Sequence, residues 1–233
     1  MIAVFHRQWK SFAHSFYFYG FLTAFFFGLG ALITIFHVSF QYANFEYTLS
    51  YLTIVLALLL PLMTVFSFHE ERRGDEARFV QMLPISARNF LCGKLLAMLT
   101  VLLLLTVFLL LIPIFLGLWG TVYYPSAYMA IFGFLLCGAA ILSLDSFLAL
   151  IFKNFWVALG VSYAVTGAMV VISYFSSALP MPWGRLLAKL SLFSTYAPFV
   201  FGIVDLYAIG LYLSVSVLFA ALSLLLARKL WRE

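Results

Sequence analysis

The sequence predicts an all-α polytopic membrane protein with six transmembrane helices. Two observations carry this. The 233-residue chain is 66% hydrophobic and only 9% charged, with a mean hydropathy of +1.12, far outside the range of soluble globular domains. Its apolar residues also fall in six long continuous runs. A hydrocarbon core about 30 Å thick needs about 20 such residues per helix, whereas a transmembrane β-barrel would show short alternating strands.

The elements follow in order. In residues 1–14, Ile2, Phe5, Trp9 and Phe12 recur at helical spacing, with His6, Arg7, Lys10 and His14 mostly on other faces. This pattern suits an interfacial helix in the headgroup layer; the simpler alternative is a basic anchor flanking a span. The first span, Phe16–Phe40, is too long for a secretory signal, and no small-residue cleavage pattern follows it. A short outer link, Gln41–Tyr47, leads to the second span, Thr48–Phe68. The third span, Leu95–Trp119, ends in an aromatic outer link whose Trp119, Tyr123 and Tyr124 suit the interfacial belt. The fourth and fifth spans, Ala127–Phe152 and Phe155–Phe175, are joined by a tight turn at Lys153–Asn154 and are therefore antiparallel neighbours. The small residues Gly138, Ala139 and Ala140 allow close helix contact in the fourth.

Residues 176–204 are too apolar for a free loop and too broken for a span, with Pro180, Pro182 and Pro198 interrupting them. Leu186, Leu187, Leu190 and Phe193 recur at helical spacing. One or two short helices dipping into the outer leaflet, against protein, fit this composition. Asp205 stands at an N-cap position before the sixth span, Leu206–Ala227. With no internal repeat and no linker, the chain reads as one transmembrane domain over residues 1–233.

Orientation follows from Lys and Arg. With both termini in the cytoplasm, Arg7, Lys10, Arg72, Arg73, Arg78, Arg88, Lys94, Lys153, Arg228, Lys229 and Arg232 are inside. Arg185 and Lys189 are outside. The opposite orientation inverts this. The net charge of +5 is thus mainly a topology signal. No basic stripe with interleaved aromatics points to nucleic acid. Cys92 and Cys137 suggest neither a disulfide nor a metal site.

The charge that the spans lack is concentrated in the cytoplasmic loop at residues 69–94, which carries Glu70, Glu71, Arg72, Arg73, Asp75, Glu76, Arg78, Arg88 and Lys94. Gly74–Asp75 reads as a helix start, with Glu76 in the first turn. Phe79, Met82 and Leu83 then share one face, and Pro84 ends the run. A two-turn helix with one apolar ridge rests either on the membrane surface or in a groove of a partner. Catalytic patterns fail here. Arg73 stands where H-E-x-x-H needs its second His, and Asp75 stands where an E-E-x-x-x-R pattern needs Arg. Asp145 reads as the one acid inside a span. An ionised carboxylate near the bilayer centre costs about 2.5–3.5 kcal/mol on insertion scales, so it should face protein or a wet cavity, with Ser143 and Ser146 as hydrogen-bonding neighbours. It either lines a path or holds an interface together, and the second reading is preferred.

Taken as an ordered set, these features resemble the membrane subunits of type-2 ATP-binding-cassette (ABC) exporters, especially the branch of gliding-motility and nitrous-oxide-reductase accessory permeases. The matching residues are Glu70, Glu71, Gly74, the Leu83-Pro84-Ile85 stop and Gly93-Lys94 at the next span. Lys153, Asn154 and Ala158 match an Asn-containing turn. Phe199, Gly202, Asp205 and Tyr212 match an F-x-x-G-x-x-D stretch and a following Tyr. The family's Gly-Thr, with a Glu two places on, falls instead on Asp75, Glu76 and Arg78, so the contacts of that Glu do not transfer. The resemblance implies a coupling helix that docks on a separate ABC ATPase subunit through Glu70, Glu71, Gly74, Glu76, Arg78, Phe79, Met82 and Pro84. It implies a second permease copy or a sister permease, and a place in the bacterial cytoplasmic membrane. ATP and Mg would belong to the ATPase, because this chain has no G-x-x-x-x-G-K-[ST] loop. The chain itself is expected to hold no cofactor, metal or catalytic residue. A wide, aromatic, nearly uncharged interior would suit a lipid, a lipopeptide or an amphipathic peptide. The competing class is an ATP-independent membrane channel or scaffold.

Overall fold

A computed structural model describes residues 2–39, 44–70, 86–118, 120–176 and 183–230. Among these residues every regular element is helical. The order is α1 (Ile2–His14), α2 (Phe16–Ile33) running into a π-helical turn (Thr34–Ser39), α3 (Phe45–Glu70), α4 (Ala87–Leu116), α5 (Tyr124–Ile151), α6 (Phe155–Ser176), α7 (Trp183–Leu190), a 3-10 turn (Ser194–Tyr196), α8 (Ala197–Val200) and α9 (Leu206–Leu230). Six of them, α2 with its π turn, α3, α4, α5, α6 and α9, are long and apolar enough to cross a membrane.

The helix starts are set locally. Ser15 is extended between α1 and α2, so the chain turns there. The Ser86 hydroxyl accepts the Asn89 amide at 3.4 Å and caps α4. Pro125 occupies the first turn of α5, where its missing N–H is harmless. The Asn154 carboxamide oxygen accepts the Trp156 amide at 3.1 Å and starts α6 after the three residues that separate it from α5. The Asp205 carboxylate accepts the Tyr207 amide at 2.9 Å at the head of α9, the capping role its position suggests. Pro61 lies inside α3. There the Thr64 hydroxyl donates to the Leu60 carbonyl at 2.9 Å, the back-bond a threonine makes within its own helix.

Packing centres on α5, which touches α3, α4, α6, α8 and α9. Within its span 67% of the residues are buried inside the fold, against 11% for α9 and 17% for α2 and α6. Leu49, Leu52, Leu56 and Leu60 of α3 meet Met98, Leu102 and Leu105 of α4 and Phe134, Cys137 and Ile141 of α5 in one buried core. Gly138 permits this approach, since a Cβ there would stand 2.9 Å from Leu102 Cδ1 and 3.1 Å from Leu56 Cδ2. The helices α2, α6 and α9 present large exposed apolar side chains, including Phe27, Val171 and Val217. In a bilayer these faces meet lipid or another helix without the cost they would carry in water.

Several boundaries differ from the sequence reading: α4 begins at Ala87 rather than Leu95 and α5 at Tyr124 rather than Ala127. The helix α3 begins at Phe45 rather than Thr48, which draws Glu46 into the helix. The amphipathic α1 packs on α4, with Val4, Gln8 and Phe12 as its buried stripe and Phe5 and Trp9 at its margin. The stripe therefore lies one position off the one expected.

Candidate functional site

One face of the bundle carries α1, the end of α3, the start of α4 and the start of α6. Ser67 is its junction. Its hydroxyl accepts the Gln8 side-chain amide from α1 at 3.1 Å. Its carbonyl accepts the Lys94 ammonium from α4 at 2.7 Å. Lys94 is fully buried, with its Nζ 4.6 Å from the centre of the Phe68 ring and 5.9 Å from that of Phe90. A buried ammonium costs several kcal/mol unless it is held, and a carbonyl plus aromatic faces meet that need. The two ends of the charged loop are thereby tied together, Glu70 three residues beyond Ser67 and Ser86 eight residues before Lys94.

Of the residues expected to dock an ATPase, only Glu70 lies within the described part of the chain, at the last position of α3. Glu71, Gly74, Glu76, Arg78, Phe79, Met82 and Pro84 lie outside the described residues.

Beside Glu70 lies a groove of about 510 Å³. It is walled by Tyr17 of α2, Phe66, His69 and Glu70 of α3, and Phe155 and Trp156 of α6. The ring centres of Phe66 and Phe155 lie 6.1 Å apart and meet edge to face. Those of Phe155 and Trp156 lie 5.2 Å apart in the same arrangement. The His69 ring also meets Phe155 edge-on, at 5.8 Å. Nothing in local sequence pattern marks this groove, because its walls come from three segments far apart in the chain.

Deeper in the bundle, Asp145 of α5 is completely buried. Neither carboxylate oxygen has a hydrogen-bond partner among the described residues. The neighbours expected to bond it do otherwise. The Ser143 hydroxyl donates to the Ala140 carbonyl at 2.8 Å and that of Ser146 to the Leu142 carbonyl at 2.6 Å. The reason is geometric, since a serine hydroxyl in a helix reaches the carbonyl three or four residues back more readily than a side chain one or two residues away. Asp145 is also not the only acid in the spans. Glu46, near the other end of the bundle, is buried and accepts a hydrogen bond from Ser126 of α5. Its second oxygen has no partner among the described residues. The sequence reading missed it by three residues of helix start.

At that other end the broken segment between α6 and α9 is stitched into the bundle. Ser191 donates to the Met169 carbonyl at 2.7 Å, Tyr196 to the Ala130 carbonyl at 2.9 Å and Tyr212 to the Leu192 carbonyl at 2.6 Å. Met169 lies seven residues inside the end of α6, so at 1.5 Å per residue the segment reaches about 10 Å down beside it. Burial pushes the Tyr196 hydroxyl above the ordinary tyrosine range, so it remains a donor. Phe199 is fully buried and sits directly on Gly133 of α5, where a Cβ would come within 2.7 Å of its ring. Gly202 has φ +73°, a conformation that glycine adopts without strain. The stretch Phe199, Gly202, Asp205 and Tyr212 therefore has a complete structural account: seat, turn, cap and tie.

Among the described residues no cluster of His, Cys, Asp and Glu could hold a metal ion, and Cys92 and Cys137 are free thiols. Six long apolar helices, the buried α5 among them, define a multi-pass helical membrane protein. Neither protein-family models nor curated proteins match the chain.

Proposed function

We propose that the chain is the transmembrane subunit of an ATP-driven ABC exporter, both of whose termini lie in the cytoplasm. The observation that carries the reading is the charged loop between α3 and α4, whose two ends are braced by Lys94 on Ser67. A force applied to the loop would reach α3 and α4 together, and α1 through Gln8. The Lys and Arg asymmetry supports the cytoplasmic placement of this face. The order of motifs supports the resemblance to type-2 exporters. In this reading Glu70, Glu71, Gly74, Glu76, Arg78, Phe79, Met82 and Pro84 meet the ATPase, and ATP with Mg is bound there and not here. Two permease subunits enclose the path. Closure of the ATP sites draws the docked loops together and shifts the spans between inward-open and closed or outward-open states. Asp145 is a path or interface residue.

The alternative is an ATP-independent channel or scaffold; current measurement separates the channel from the exporter, and the companions of the purified chain separate the scaffold. The purified chain in a planar bilayer is expected to pass no ions in the absence of an ATPase. Discrete current steps from the chain alone would favour the channel and refute the exporter.

A further inference from the structure

We infer that Asp145 of α5 and Ser162 of α6 form a proton-binding site inside the bundle. Both side chains are fully buried, and neither has a hydrogen-bond partner among the described residues. They stand at one level. Lys153 lies in the turn between the two helices, eight residues after Asp145 and nine before Ser162. At 1.5 Å per residue both are about 12–14 Å along their helices from it, and α5 packs on α6. Ala158, Ser162 and Thr166 are the buried residues of α6, one stripe at four-residue spacing, so Ser162 lies on the face turned to the bundle. Tyr163, the next residue, is within electrostatic reach of the Asp145 carboxyl.

Ser162 differs from the hydroxyls around it. Ser143, Ser146 and Thr166 each donate to a carbonyl three or four residues back in their own helix. Ser162 does not, and so keeps a donor and an acceptor for a group outside its helix. What Asp145 lacks decides the ligand. A buried carboxylate must be matched by a cation or become neutral. The titratable groups on the surrounding helices are engaged elsewhere. On α3, Glu46 bonds Ser126 and the His69 ring lies on the Val65 carbonyl. On α4, Lys94 donates to the Ser67 carbonyl. On α6, Tyr163 donates to the Leu58 carbonyl, and on α9, Tyr212 donates to that of Leu192. A proton supplies the missing charge and gives the carboxyl one donor and one acceptor, the complement of a serine hydroxyl.

The test is infrared spectroscopy of the full chain in mild detergent at neutral pH, with Asp145→Asn as the isosteric reference. One carboxylic-acid C=O band is expected, lost in Asp145→Asn. Ser162→Ala should move it to higher frequency, because the C=O loses its donor. Carbon-13 at the aspartate carboxyl separates this band from glutamate, and serves alone if Asp145→Asn fails to fold. The folded chain would then hold one proton more than the unfolded chain, so its stability falls as pH rises above neutral. Asp145→Asn should remove that dependence, up to about tenfold in the unfolding equilibrium per pH unit. Carboxylate bands alone for Asp145, a band that shifts with sodium, or one that Ser162→Ala leaves unmoved would overturn the site. The exporter reading is untouched by either result, since the band is present or absent whatever companion the chain has.

Discussion

Replacing Phe79 and Met82 together with Asp is expected to release the ATPase while leaving the six spans folded. These two side chains form the apolar ridge that the loop sequence predicts, one helical turn apart. A buried apolar side chain at an interface contributes about 1.5–3 kcal/mol by area, and a carboxylate forced into the same pocket adds a desolvation cost. Two such changes exceed what a docked helix of two turns withstands. The readout is co-elution of the companion chain from a tagged permease in mild detergent, with helical content and thermal unfolding of the permease as the fold control. Loss of the companion with an unchanged permease is the expected outcome. A complex that survives both substitutions would place the docking surface elsewhere.

The second large effect concerns the seat of Phe199. Gly133→Ala is expected to destabilise the chain by about 1–3 kcal/mol, the usual cost of overpacking, because the added methyl lies 2.7 Å from the ring that anchors the broken segment on α5. Gly160→Ala on α6 is the matched control. Nothing stands within 4 Å of a Cβ there, so the better helix propensity of alanine, up to about 1 kcal/mol, leaves stability unchanged or raised. Thermal unfolding of both variants in the same detergent reads the difference. The seat would be refuted if the two variants shifted alike.

These two predictions differ in origin, and the difference shows what was legible in the chain. The six spans were readable because length and apolar content are local properties. So was the cap at Asp205, since a side chain that bonds an amide two residues on needs no tertiary partner. The ridge of Phe79 and Met82 follows from spacing alone. The seat of Phe199 does not, because Gly133 lies 66 positions away and nothing in either stretch announces the other. The buried state of Lys94 was equally hidden. In sequence it is one more charge at a span edge, and only the folding of α3 beside α4 brings the Ser67 carbonyl and the Phe68 ring to it. Glu46 was lost to a helix boundary, since a start at Phe45 rather than Thr48 moves an acid from a link into the bundle. The serines beside Asp145 illustrate a competition. Each had the right chemistry for the carboxylate, and each is claimed by its own helix. The groove near Glu70 is the extreme case, an aromatic enclosure assembled from residues 17, 66, 155 and 156.

The central claim is that this chain is driven by a separate nucleotide-hydrolysing subunit. Its most direct test is to express the chain with an affinity tag in its native cell, extract it in mild detergent and identify what comes with it. The exporter reading predicts a companion that carries a phosphate-binding G-x-x-x-x-G-K-[ST] loop and no membrane spans, at one copy per permease. A chain that emerges alone, or with no nucleotide-binding companion, would contradict it.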